Sequence, residues 1–243
     1  MKITQSNLFL YSIFYIAPFV DALNGFLIFN KILDEGSLLS PGQIFRFYLT
    51  SLGFLFLKKK QFFVILLSFL TILILEFISF NFHLNFKGFI LGFVYSYKIL
   101  FIVLLYYVFK NILVNTNLIN LINLLKNSAL LYVGILLVSV FLGIDKSTYE
   151  TGTFGSKGLF ASGNGLSIFL GICSLITFYF YRKAPSKSNL YSFSFILLGT
   201  ILVGTKASII FLLISMVLLF IYSKLRVKIT LLITALFLFI YAY

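Results

Sequence analysis

The chain has 243 residues, 61% of them hydrophobic and only 10% charged, with a formal net charge of +13. Soluble domains run near 45–50% apolar and about 25% charged, so a soluble globular fold is excluded and an integral membrane protein is expected. A single cysteine, Cys173, and a single histidine, His83, exclude an intrachain disulfide framework and a cysteine or histidine metal site; no metal and no cofactor is expected.

The apolar runs are continuous and do not alternate with period two, which points to helices rather than a barrel. The expectation is an all-α fold, a polytopic transmembrane helical bundle of about nine spans in one domain, 1–243. In chain order the spans fall at 8–30, 43–57, 61–80, 89–109, 128–144, 163–181, 190–204, 206–222 and 229–243. The stretch from Leu190 to Tyr222 carries one charge, Lys206. At about 50 Å if helical it is too long for one crossing, and it is read as two short spans bent at Gly204-Thr205-Lys206. Between spans four and five, Lys110 to Asn127 mixes asparagines (115, 117, 120, 123, 127) with Leu and Ile. It reads equally as an amphipathic helix on the cytoplasmic face or as a plain connector.

Sidedness follows from charge. Lys58 to Lys60, Lys110, Lys126, Arg182, Lys183, Lys187, Lys224, Arg226 and Lys228 all fall on even-numbered connections, and Lys2 on the same side. The positive-inside rule places that side, and the N-terminus, in the cytoplasm. The six acids, Asp21, Asp34, Glu35, Glu76, Asp145 and Glu150, then lie outside or in the outer halves of spans. A net positive charge in such a chain is a topology signal and calls for no nucleic-acid partner. The chain stops at Tyr243 inside an apolar run, and it is expected to be the N-terminal part of a longer architecture.

Charges inside spans cost about 2.5–3.5 kcal/mol each on insertion scales and need a reason. Asp21, in YIAPFVDALNG, lies deep in span one with Asn24 on its face and Pro18 a turn before. Arg46 opens span two, Glu76 sits in the outer third of span three, Lys98 about nine residues into span four after Tyr95, and Lys206 at the outer bend. The bland readings are mutual pairing of Asp21 and Glu76 with the bases, and snorkelling of Arg46 and Lys206. The sharper reading is an outward-facing polar cavity with surplus positive charge, suited to an anion. Ser162 or Asn164 is placed to cap the helix that follows the glycine-rich outer loop GTFGSKGLFASGNG. No nucleophile triad, metal-ligand spacing or phosphate-binding loop is present.

PFVDALNG followed by SPGQIFRF, GLFASGNGLS at the start of a span, and LVGTKAS between two short spans together resemble the O-antigen polymerase and O-antigen ligase superfamily. That resemblance implies a GT-C-like membrane glycosyltransferase that uses undecaprenyl-pyrophosphate-linked oligosaccharide at the outer face, without metal or nucleotide sugar. By the same resemblance Arg46 and Lys206 match the basic positions that hold the lipid pyrophosphate, Asn164 falls in the family's glycine-rich segment, and the membrane is a bacterial cytoplasmic membrane. Beyond the resemblance, Lys98 is expected to assist the two bases, and the base for the acceptor is expected from Asp21, from Glu76 or, more readily, from a part of the architecture beyond this chain. Membrane lipid and other polysaccharide-assembly membrane proteins are the further partners the resemblance implies. A glycolipid flippase or other transporter, and an inactive truncated membrane subunit, are the competing classes.

Overall fold

The structure, a computed structural model, describes residues 2–34, 37–114, 116–149 and 155–222; for residues 2–4, 82, 83 and 87 it describes the backbone alone. The ninth expected span, 229–243, lies outside the described residues, as do Lys224, Arg226, Lys228, Glu35, Asn115 and Glu150. What is described is overwhelmingly helical. The helices are α1 (Lys2–Tyr11), α2 (Ala17–Phe29), α3 (Pro41–Phe54), α4 (Lys59–His83), α5 (Phe86–Leu113), α6 (Leu118–Phe141), α7 (Gly163–Lys183), α8 (Lys187–Val203) and α9 (Lys206–Tyr222). Five helical segments are long and apolar enough to cross a membrane: Gln5–Phe29, Lys59–Asn81, Gly88–Leu113, Leu118–Phe141 and Gly163–Lys183. α8 and α9 are shorter apolar helices of 17 residues each, and α3 has 14 residues.

Helices α1 and α2 form one rod joined by a π-helical turn at Ser12–Ile16. Its cause is in the sequence. Pro18 brings no N–H and its ring crowds the carbonyl four residues back, so the chain ahead of it widens, and Ala17 donates to the Ser12 carbonyl five residues away. Neither reading of Lys110–Asn127, a separate amphipathic helix or a plain connector, describes the whole segment. α5 runs on to Leu113, and Asn117 turns the chain, its side chain accepting from Ile119 N at 3.0 Å. α6 then starts ten residues earlier than span five was expected to, with Asn120, Asn123 and Asn127 on its first turns. Asn120, Asn123 and Asn127 are one stripe of a long helix, which a composition reading cannot separate from a connector.

Two compact units result. The first comprises Met1–Leu131 and Leu159–Ala161, the second Tyr132–Gly158 and Ser162–Tyr243. The first unit's core joins Phe9, Leu10 and Phe14 to Leu49 of α3, Ile65 of α4, and Leu104, Val108 and Ile112 of α5. Phe9 is fully buried with the Phe56 and Phe109 rings at 5.8 and 6.2 Å. The α3–α4 turn is tied to α5 by Asn111, whose side-chain nitrogen donates to the Phe56 carbonyl at 2.9 Å and to Gln61 Oε1 at 2.7 Å.

The second unit centres on α7. Its buried face carries Gly163, Ser167, Gly171 and Ser174. Such small residues let helices approach closely where apolar burial gives little drive in lipid. A Cβ at Gly171 would land in the Phe211 ring of α9, and one at Gly199 of α8 would meet Val133 of α6. At the far end Arg182 packs over the Tyr222 ring at 4.2 Å and donates to its carbonyl at 3.2 Å, closing α7 on α9.

Candidate functional sites in the two units

In the first unit the motif DALNG is the meeting point. Gly42 N donates to Asn24 Oδ1 at 3.4 Å, which draws SPG onto DALNG. A Cβ on Gly25 would strike the Leu159 carbonyl oxygen and lie 2.7 Å from Ala161 N, so LFA is seated against the same turn of α2. Ser40 caps α3 by accepting from Gln43 N, and Pro41 stands in the first helical turn where no donor is needed. This start aims α3's second turn, with Arg46, at the face of α2 that carries Asp21. Arg46 is half-buried and interacts electrostatically with Asp21 and with Tyr97 of α5. Asp21 itself is exposed.

Sequence reading missed two members of this cluster. Gln43, one turn before Arg46, is 3% exposed, and its Oε1 meets no hydrogen-bond donor. An amide oxygen left so is costly unless something else donates to it. Its position three residues before an intramembrane arginine was the available signal. Tyr97 is buried, stacks on Phe47 at 4.7 Å, and shares a hydrogen bond with Thr50 at 2.5 Å. Tyr97 also lines an apolar cavity of about 280 Å³, together with Phe47, Phe54, Ile65, Phe69 and Leu104 among others. A guanidinium and a hydrocarbon-sized groove that share Tyr97 suit an amphiphilic anion.

Glu76 and Lys98 belong to the same unit, on α4 and α5. Glu76 is half-buried in the α4–α5 seam, where Gly92 leaves room for its carboxylate and Ser96 Oγ donates to Oε1 at 3.2 Å. Lys98 is half-buried, with its ammonium 4.5 Å from the Tyr95 ring centre, a cation–π contact.

In the second unit LVGTKAS is a helix–helix turn. Gly204 takes a left-handed conformation at φ 65°, ending α8 as glycine does most readily. Thr205 then caps α9. Its Oγ1 accepts from Ser208 N while its own N donates to Ser208 Oγ, both at 3.1 Å. Thr205 Oγ1 also donates to Ser167 Oγ of α7 at 2.7 Å, and all three residues are buried. Lys206 is therefore the first helical residue rather than part of the bend, and it is exposed.

The loop between α6 and α7 braces this turn. Lys146–Ser147 pairs antiparallel with Ser156–Gly158 in a two-stranded ladder. Thr148 Oγ1 donates to the Val203 carbonyl at 2.5 Å, and Lys206 N donates to the Tyr149 hydroxyl at 3.3 Å. Ser156 Oγ donates to Asp145 at 2.6 Å. Of the two capping candidates for α7, Ser162 does the work, accepting from Gly165 N at 3.2 Å. Asn164 is exposed on the first turn of α7. Thus Asp21 and Arg46 come together in the first unit, while Lys206 and Asn164 belong to the second.

Comparisons with protein families, with curated proteins and with solved structures found no match.

Proposed function

We propose that this chain is a multi-pass protein of a bacterial cytoplasmic membrane that polymerises or ligates oligosaccharide units carried on undecaprenyl pyrophosphate. In this reading it is a GT-C-like bundle of about nine spans, N-terminus inside, and the chemistry takes place at the outer face in capsular, exopolysaccharide or O-antigen assembly. The observation that carries it is Arg46, a half-buried cation that interacts with Asp21 and with Tyr97, one helical turn after the orphaned Gln43, while Tyr97 also lines an apolar groove. A lipid pyrophosphate presents those two needs together, charge at the head and hydrocarbon behind.

The reaction asks for little besides electrostatics. An acceptor hydroxyl attacks the anomeric carbon, the bond to the pyrophosphate oxygen breaks, and the lipid pyrophosphate leaves with the electron pair. Arg46 stabilises the charge that grows on the leaving group, with Lys98 in support. Lys206 and Asn164, on the second unit, take the same ligand class. Of the two carboxylates, Asp21 fits the base better than Glu76, because it is exposed next to Arg46 whereas Glu76 is held by Ser96.

The test is chain extension in cells carrying Arg46→Ala or Lys206→Ala. Arg46→Ala is expected to abolish extension and Lys206→Ala to reduce it, with single units still displayed outside. Normal extension by both variants sinks the reading. Accumulation of glycolipid on the inner leaflet identifies a flippase instead.

A further inference from the structure

A second cavity, of about 340 Å³, opens in the first unit between the α1 rod and the first turns of α6. Asn7, Tyr11 and Tyr15 line one wall at intervals of four residues, and Asn120, Asn123 and Asn127 the other at intervals of three and four. Those intervals put each trio on a single helix face. Asn127 donates to the Tyr15 hydroxyl at 3.0 Å and closes the deep end. The π turn at Ser12–Ile16 carries Tyr15, and such turns often re-aim a side chain at a functional site.

None of the ten lining residues is charged, and the three that are not hydrogen-bonding are leucines. That selects the ligand. An anion or a cation entering here would find no counter-charge among the described lining residues. A carboxamide both donates and accepts, as does a phenol, and a hydroxyl needs both at once. Several such groups on facing walls match vicinal hydroxyls. Leu10, Leu121 and Leu124 leave an apolar side for whatever carries them. Tyr15, the lining residue nearest Asp21 on that rod, lies six residues from it, about 9 Å along the axis, and neither Asp21 nor Arg46 lines this cleft.

We propose that the cleft binds an uncharged, polyhydroxylated headgroup: a glycosyl group, presented on a lipid or as free sugar. The site stands or falls independently of the Arg46 chemistry.

The test is native mass spectrometry of the full chain in a polyoxyethylene detergent, which carries no sugar. The probes are monoglucosyldiacylglycerol and phosphatidylglycerol with the same acyl chains. The glycolipid is expected to be retained about fivefold more, the scale of one net hydrogen bond. Asn123→Leu is expected to erase that preference. Tyr15→Phe, which removes one hydroxyl and keeps the ring, is expected to lower it. Leu67→Asn, on α4, should leave it intact. Displacement of the glycolipid by excess glucose identifies free sugar as the source, and its failure to displace identifies the lipid. Equal retention of the two lipids by the unaltered chain overturns the proposal, as does a preference that survives in both Asn123→Leu and Tyr15→Phe.

Discussion

Helices α4 and α7 are both long and apolar, and they are used in opposite ways. In the span window of α4 only 6% of residues are buried within the protein, against 50% in that of α7. The more apolar helix is the one with less protein around it. Leu67, Ile74 and Leu75 of α4 are 68%, 58% and 60% exposed, which water would not tolerate over such a length and hydrocarbon does. The packed face of α7 instead interleaves Gly163, Ser167, Gly171, Ser174 and Thr177 with Leu166, Leu170 and Phe178, and Ser174 and Thr177 donate to carbonyls of their own helix. Small residues on a helix face let neighbouring helices approach closely, whereas a face of large apolar side chains alone suits lipid.

Four substitutions test that contrast, the strongest first. Gly171→Leu on α7 drives a side chain into the Phe211 ring and is expected to cost about 3 kcal/mol, at the upper end of overpacking. A fall in the thermal midpoint in detergent measures it. Gly25→Ala sets a methyl against the Leu159 backbone, and about 2 kcal/mol is expected because a carbonyl cannot swing aside as a ring can. Thr205→Val keeps the volume but removes the bond to Ser167 and the cap on α9. About 1–2 kcal/mol is expected, and proteolysis at the α8–α9 turn should rise with it. Leu67→Ala on α4 is the counterpart, expected within about 0.5 kcal/mol, as for surface sites generally. A loss of more than about 1 kcal/mol there would mean that α4 is covered by protein and would break the comparison.

The helices were legible because each is an apolar run bounded by lysines, prolines or polar loops; of the eight expected segments among the described residues, seven coincide with helices to within about six residues at either end, and the exception is α6. Its start was hidden because asparagines at helical spacing look like a connector until the facing helix is known. The Gly204 turn was legible too, since glycine before a capping threonine has few alternatives. The partners were not. That Asn24 meets Gly42, that Gly25 meets Leu159, and that Thr205 meets Ser167 are facts of tertiary packing with no local signature. Gln43 could not be singled out because its importance lies in burial without a donor. The charged residues were easier, since each charge in an apolar run asks for an explanation. Asp21 and Arg46 met that expectation by coming together, whereas Glu76 took Ser96.

The most direct test of the central proposal is the length distribution of the cell's surface glycan, run as a ladder on a gel before and after deletion of the gene for this chain. Collapse of the ladder to single repeat units is the predicted result. A ladder unchanged by the deletion would contradict the account and remove lipid-linked glycan assembly as the function of these residues.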